Sequence, residues 1–458
     1  MSSALISPAV TPPPLVRSKF AYGRNAPEMR AADVPGMCSV RVQDLFPDIP
    51  DPIHRAGEDV APVRAAARAA LSGVDMSMIK PGDSVNLLCS EHGFGMMGGD
   101  AYAELLRTVR DEVIERTGAT RVKLALSSAA STFEQGEIIP HHDLDAYFEG
   151  LTFAFGPYEP GIAIETEIGT LYGIRKAYAA KWLIHVHYDD PREIHFHHMN
   201  GRLLKSFTMS YARMETRSIF HNNFPTRSAN IVPRAIYESP YIRERWAFSA
   251  VLSTSPSGTM GVDADNDLIA MDRRISADML RRYGKMVQLF SSIESCFTVA
   301  DDTRWLPYQH AGGLTACALY ENEHDHLDLD LPAHAPANPL DKRVIKGPVK
   351  AVVLNYAWKL FASADITVAA NAAVGKDFAR IHPDQTLYVA DDLIEAVDIA
   401  SEQAGTDRGL VFDGSYGAIN MTRAMAQDLI ERAPQISALV DGELLPKWLS
   451  QRGLASFA

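Results

Sequence analysis

Cysteine is scarce. The 458 residues contain four, Cys38, Cys89, Cys296 and Cys317, far apart and with no C-x-x-C pair. That spacing indicates neither a disulfide framework nor a thiolate zinc site, and a reducing cytoplasm suits it best. Basic charge is also in short supply: 44 Lys and Arg face 57 Asp and Glu, a net charge of −13. A chain whose task is to grip a phosphate backbone needs clustered cations, so nucleic acid is not an expected partner. No membrane-length apolar run interrupts the sequence, and the start M-S-S-A-L-I-S-P-A-V-T-P-P-P-L lacks a basic stretch leading into an apolar one. Neither a membrane partner nor an export signal is expected, and no repeat of solenoid length is present.

What the sequence does contain is a globular mixture, 47% hydrophobic and 22% charged, in a chain too long for one ordinary core. The pattern predicts an α/β fold of two α/β domains with an active-site cleft between them. Residues 1–55, rich in Pro and small residues, are expected as an extended arm, which is compatible with wrapping a neighbouring subunit in a homo-oligomer. An N-terminal α/β domain is expected over 56–255, a C-terminal one over 256–412 and a helical segment over 413–458.

Within the first domain an Ala-rich helix at about 61–72 and a turn at Lys80-Pro81-Gly82-Asp83 lead into the buried strand V-N-L-L-C. A helix through A-Y-A-E-L-L-R-T-V-R-D-E-V-I-E-R and a strand R-V-K-L-A-L complete a βαβ unit. A further strand, K-W-L-I-H-V-H, opens into a histidine-laden loop, where open α/β sheets place ligands. In the second half the pattern predicts helices at 274–290, 349–361 and 391–404, and strands C-F-T-V-A, I-T-V-A-A, T-L-Y-V-A and G-L-V-F. The stretch E-N-E-H-D-H-L-D-L-D-L-P-A-H reads as a solvated acidic loop.

Histidine is unevenly spread: of 15, His185, His187, His195, His197, His198 and His221 fall in one short stretch. Imidazole is the commonest metal ligand and a proton shuttle near neutral pH, so the concentration points to a site. The segment R-E-I-H-F-H-H-M-N-G-R-L-L-K-S-F, continued to S-I-F-H, is similar in order and spacing to the histidine, lysine and histidine of the lactate racemase family of nickel-pincer enzymes. Ser90-Glu91-His92 stands where that family has Ser-Asp-His, and D-L-I-E-A-V-D-I-A-S-E-Q-A-G with G-L-V-F-D-G resembles its closing helix and strand.

The resemblance implies an isomerase with His195 as catalytic acid/base and His221 as nickel ligand. Lys205 would carry a covalently attached nickel-pincer nucleotide, a pyridinium thioamide/thiocarboxylate mononucleotide. Gly201 and Arg202 would approach the cofactor phosphate. His195 would take the proton from a substrate hydroxyl as the carbon-bound hydrogen leaves as hydride, giving a ketone, and return of the hydride to the opposite face would invert the centre. A small hydroxy substrate and proteins that make the cofactor are the partners so implied.

The sequence also departs from the family. The second base expected at the end of the second strand is matched only by Ala130, leaving His92, His141, His142 and His197 as candidates. The family arginine that holds a carboxylate is replaced by Gly93-Phe94, and its Tyr-x-x-x-Lys is matched by Tyr308 with Gly312 in place of the lysine. Phe cannot stand in for a bidentate Arg, so lactate is not the expected substrate. A neutral or sugar-like alcohol suits the change, unless Arg202, Arg213 or Arg217 clamps a carboxylate from another direction. Two other readings stay open: a cupin-like metal site from His185, His187 and Glu193, and a non-catalytic homologue that only binds the cofactor.

Overall fold

The structure, a computed structural model, describes residues 4–12, 21–23, 25, 27–128, 135–189, 200–201, 203–223, 227–302, 327–330, 348–357 and 366–457. Two short strands, β1 (Ser7–Pro8) and β2 (Met37–Arg41), come first. After the helix Ala61–Leu71 follow β3 (Ser84–Ser90), the helix Asp100–Thr117, β4 (Arg121–Ser127) and β5 (Thr152–Phe155). A hairpin of β6 (Gly161–Thr166) and β7 (Gly169–Ile174) leads to β8 (Trp182–Tyr188). Short helices then connect to β9 (Trp246–Ser255) and β10 (Gly258–Asp265). Beyond the long helix Leu268–Ser291 lie β11 (Cys296–Ala300), β12 (Val349–Leu354), β13 (Ile366–Ala369), β14 (Thr386–Val389), β15 (Gly409–Phe412) and β16 (Ala418–Thr422).

The strands form two main sheets, so the chain is α/β twice over. The first runs β10-β9-β8-β3-β4-β5, with β9 through β5 parallel and β10 antiparallel at the edge. Its central strands β3 and β8 are buried along almost their whole length, which is why V-N-L-L-C and L-I-H-V-H read as unbroken runs rather than alternating ones. The helix Asp100–Thr117 between β3 and β4 is bounded by Gly99, at φ 87°, and Gly118, also left-handed. A side chain would strain either end.

The second sheet runs β1-β2-β16-β15-β11-β12-β13-β14, with β15, β11, β12, β13 and β14 parallel. Three features differ from the sequence expectation. The stretch 1–55, expected as an extended arm, supplies β2 to this sheet, paired with β16 from Ala418↔Arg41 to Thr422↔Met37. The division expected at 256 falls between β9 and β10, which are hydrogen-bonded neighbours. The helix expected over 349–361 is instead β12 over its first six residues, because A-V-V-L is paired on both sides, with β11 and β13. A short apolar run buried on every side has no periodicity that tells a helix from a strand. Most of the acidic loop falls outside the described residues.

The long helix Leu268–Ser291 joins the two sheets. Asp267 caps it by accepting from the Ile269 and Ala270 N–H groups, and seventeen of its residues are buried. One continuous apolar cluster takes in Leu183 and Val251 of the first sheet, Met271, Leu280 and Phe290 of this helix, and Leu354, Leu410 and Ile419 of the second sheet.

Candidate functional site

In the first sheet, β4 and β5 lie on one side of β3 while β8 and β9 lie on the other. The chain therefore leaves β3 and β8 in opposite directions, and the space beyond their carboxyl ends is the usual ligand position in open α/β sheets. Tyr102 closes the floor between them: its hydroxyl donates to the Val186 carbonyl of β8 (2.7 Å) and accepts from the Ser90 N–H of β3 (3.3 Å). Phe94 packs edge-on against the same ring at 5.0 Å. Ser90 Oγ accepts from the His92 N–H (3.4 Å) and so starts the 3-10 run Glu91–Gly99.

A short 3-10 turn, Leu203–Phe207, carries Lys205, and it and the residues that follow it to Tyr211 are tied to three neighbouring strands. Ser206 Oγ meets His185 Nε2 of β8 at 3.3 Å, the Ser210 carbonyl accepts from Ser127 Oγ of β4 at 2.5 Å, and Tyr211 Oη donates to the Leu88 carbonyl of β3 at 3.2 Å. Lys205 itself is buried, at 6% exposure. Gly201 sits just before this turn, where an added Cβ would lie 1.9 Å from Asp272 Oδ2. Asp272 also accepts from the Leu203 N–H at 2.7 Å, so close approach of the backbone to this carboxylate accounts for the glycine.

The helix Met214–Asn223 presents Arg217, Phe220 and His221 on one face, at i, i+3 and i+4. Phe220 is the meeting point: the Lys205 ammonium stands 5.9 Å from its ring centroid, and the His221 ring packs edge-on against it at 5.7 Å. His221 Nδ1 lies 2.8 Å from the Arg217 carbonyl. A carbonyl only accepts, so Nδ1 carries the proton and the lone pair of the neutral ring sits on Nε2, the arrangement typical of a metal-ligating histidine. Arg217 is buried at 4% exposure. Burial pushes its guanidinium down to about 10, opposed in part by Glu91 and Tyr158.

No protein-family model matches the sequence, and no curated protein matches it. Among solved structures the chain is similar to the lactate racemase apoprotein from Thermoanaerobacterium thermosaccharolyticum. The sequence identity is 14% and the TM-score 0.44, over 80% of this chain and 94% of that one.

Of the residues singled out from sequence, Lys205 and His221 converge on Phe220, and Gly201 lies two residues before the turn that carries Lys205. His92 is half-buried at the end of β3. His195, Arg202 and Tyr308 lie outside the described residues, as do Ala130, Glu193, His197, His198 and Gly312. His185 and His187 are fully buried and stacked at 4.8 Å on β8, a central strand of a parallel sheet rather than of a cupin barrel. Among the described residues no group of three or more His, Cys, Asp or Glu is arranged to hold a metal.

His142 is held by Asp100, Nδ1 to Oδ1 at 3.4 Å, and this hydrogen bond keeps the Asp100 carboxyl below its ordinary value. The sequence reading named Glu91 only as part of Ser90-Glu91-His92 and passed over Ser206 and Asp272. Ser206 flanks Lys205, which it had named, but only the folded chain brings Asp272 to Gly201. No helix among the described residues is long and apolar enough to cross a membrane.

Proposed function

We propose that this chain is a nickel-pincer nucleotide-dependent racemase or epimerase that acts at a secondary alcohol carbon of a hydroxy acid or sugar-like substrate other than lactate. The observation that carries the reading is the convergence of Lys205 and His221, sixteen residues apart in sequence, on one aromatic residue, Phe220. The residues present fit such a group. Lys205 offers a buried amine for covalent attachment, and His221 offers one nitrogen with its lone pair fixed by the Arg217 carbonyl. A single protein ligand suits a metal whose other donors come from a pincer and whose geometry is square planar.

When bound, the group supplies a hydride acceptor for the carbinol carbon. The protein binds and orients the substrate and moves the hydroxyl proton. That proton is assigned to His195 on the resemblance, with His92 at the end of β3 as a candidate second base. Arg202 is assigned to the cofactor phosphate and Tyr308 to the substrate on the same ground. A cytoplasmic setting, cofactor-making partner proteins and assembly into a homo-oligomer belong to this reading.

The test is intact and peptide mass spectrometry with metal analysis, on protein made in a host that also makes the pincer nucleotide. A nucleotide-sized adduct on the Lys205 peptide and about one nickel per chain are expected. Lys205→Ala should lose the adduct, and His221→Ala should keep it while retaining far less nickel. An unmodified Lys205, or nickel content indifferent to His221, would sink the reading.

A further inference from the structure

We propose that a cavity at the amino end of the first sheet binds a small phosphomonoester whose organic part carries hydroxyl groups, as in a sugar phosphate. The cavity, of about 270 Å³, is lined by Ser84 and Asn86 of β3, Arg121 and Lys123 of β4, Phe153 of β5, and Lys176, with two alanines. β3 is seven residues long, so this end lies roughly 20 Å from the candidate site at the other. The pairing of Ser84 with Arg121 and of Asn86 with Lys123 puts these four side chains on one face of two parallel strands. Both faces of a parallel sheet are ordinarily apolar. The opposite face obeys that rule with Val85, Leu87, Val122 and Leu124, all buried, whereas Asn86 and Lys123 give this face polar groups beside a cavity.

Asn86 is 2% exposed, and its side-chain NH2 donates to the Lys176 and Ala177 carbonyls at 3.1 and 2.9 Å. Carbonyls only accept, so Oδ1 is the atom turned away from them, and among the described residues no group donates to it. Ser84 Oγ accepts from the Lys181 N–H at 3.0 Å and keeps its own hydrogen to give. Arg121 and Lys123 form no ion pair among the described residues, while Lys176 shares its charge with Glu159 at 3.0 Å. No acidic side chain lines the cavity, in a chain of net charge −13. A phosphomonoester is close to a dianion at neutral pH and answers this cluster better than a single carboxylate does. The Arg121 fork and the Ser84 hydroxyl suit its oxygens. Asn86 Oδ1 asks for a donor, which a hydroxyl of the organic part supplies, and the Phe153 ring walls the carbon skeleton. The volume admits a small metabolite. None of this rests on the racemase reading.

Calorimetric titration of the full chain with ribose 5-phosphate, inorganic phosphate and ribose tests the inference. Ribose 5-phosphate is expected to bind in the millimolar range or tighter, inorganic phosphate more weakly, and ribose not at all. Arg121→Gln and Lys123→Gln should each weaken ribose 5-phosphate at least about tenfold, with Lys123→Arg partly restoring it. Lys376→Gln, the same charge change on an exposed helix of the second sheet, should leave it unchanged. Arg121 is exposed, so its variant tests the cavity even where Lys123→Gln lowers the melting temperature. Equal affinities in wild type and both cavity variants, equal weakening by Lys376→Gln, or no binding of either phosphate would overturn the site. Inorganic phosphate binding as tightly as ribose 5-phosphate would overturn the assignment to an ester with hydroxyl donors.

Discussion

At the scale of single residues, small commitments of backbone and side chain decide what the site can hold. Gly201 is one: with Asp272 Oδ2 where its Cβ would be, Gly201→Ala must push the carboxylate off the Leu203 N–H and loosen the turn that carries Lys205. A loss of about 1–3 kcal/mol is expected from such overpacking, measured by urea unfolding; an unchanged midpoint would mean that Asp272 does not fix this turn. Asp301, at the end of β11, is another. Burial raises its carboxyl to about 6, despite Arg30 at 2.8 Å and the Ala31 N–H.

A carboxyl raised in the folded state binds its proton there while the unfolded chain has already released it. Stability from this group is therefore fully present below the unfolded value near 4 and is lost as pH rises to about 6, a change of order 3 kcal/mol. Asp301→Asn should flatten the stability–pH curve between pH 4 and 6. The same slope in both proteins would show that Asp301 does not set it.

At the scale of elements, the seam between β3 and β8 is the feature that holds the two strand ends together beside the candidate site. Tyr102 reaches from the helix Asp100–Thr117 to hold both strand ends with one hydroxyl, and Phe94 packs on its ring. Tyr102→Phe removes the hydroxyl and leaves the buried Val186 carbonyl and Ser90 N–H without that partner, so a loss of about 1–3 kcal/mol is expected. Amide exchange at Ser90 should speed up in the variant while exchange in the helix interior stays protected; uniform acceleration would point instead to global destabilisation.

The βαβ unit was legible because its helix had period 3.6, its strands were unbroken apolar runs and the turn Lys80-Pro81-Gly82-Asp83 preceded it. The second sheet was harder to read. Its strand β2 comes from nearly 380 residues before its partner β16, a pairing no local pattern announces.

At the scale of the whole molecule, the two sheets share one core. The helix Leu268–Ser291 buries Met271, Leu280 and Phe290 in an apolar cluster continuous from β8 to β15. On that face it also places the buried Lys285 between Asp48 and Asp441, both at 2.7 Å, which ties the N-terminal stretch to the closing helices. Scanning calorimetry should therefore give one cooperative transition, with calorimetric and van't Hoff enthalpies in agreement. Two separated transitions would show that the sheets unfold as independent units.

The sequence by itself determined the class of fold, the βαβ unit at its start, the absence of a disulfide scaffold and the three positions, His195, Lys205 and His221, on which the resemblance rests. Composition and short periodicities are local quantities, and the fold class and the βαβ unit need nothing more, whereas the three positions come from the resemblance. Tertiary structure alone decided that β2 and β16 are neighbours, that Asp272 fills the space over Gly201, and that Lys205 and His221 meet at Phe220. Burial and close approach are relations between residues distant in sequence, and they exist only once the chain has folded.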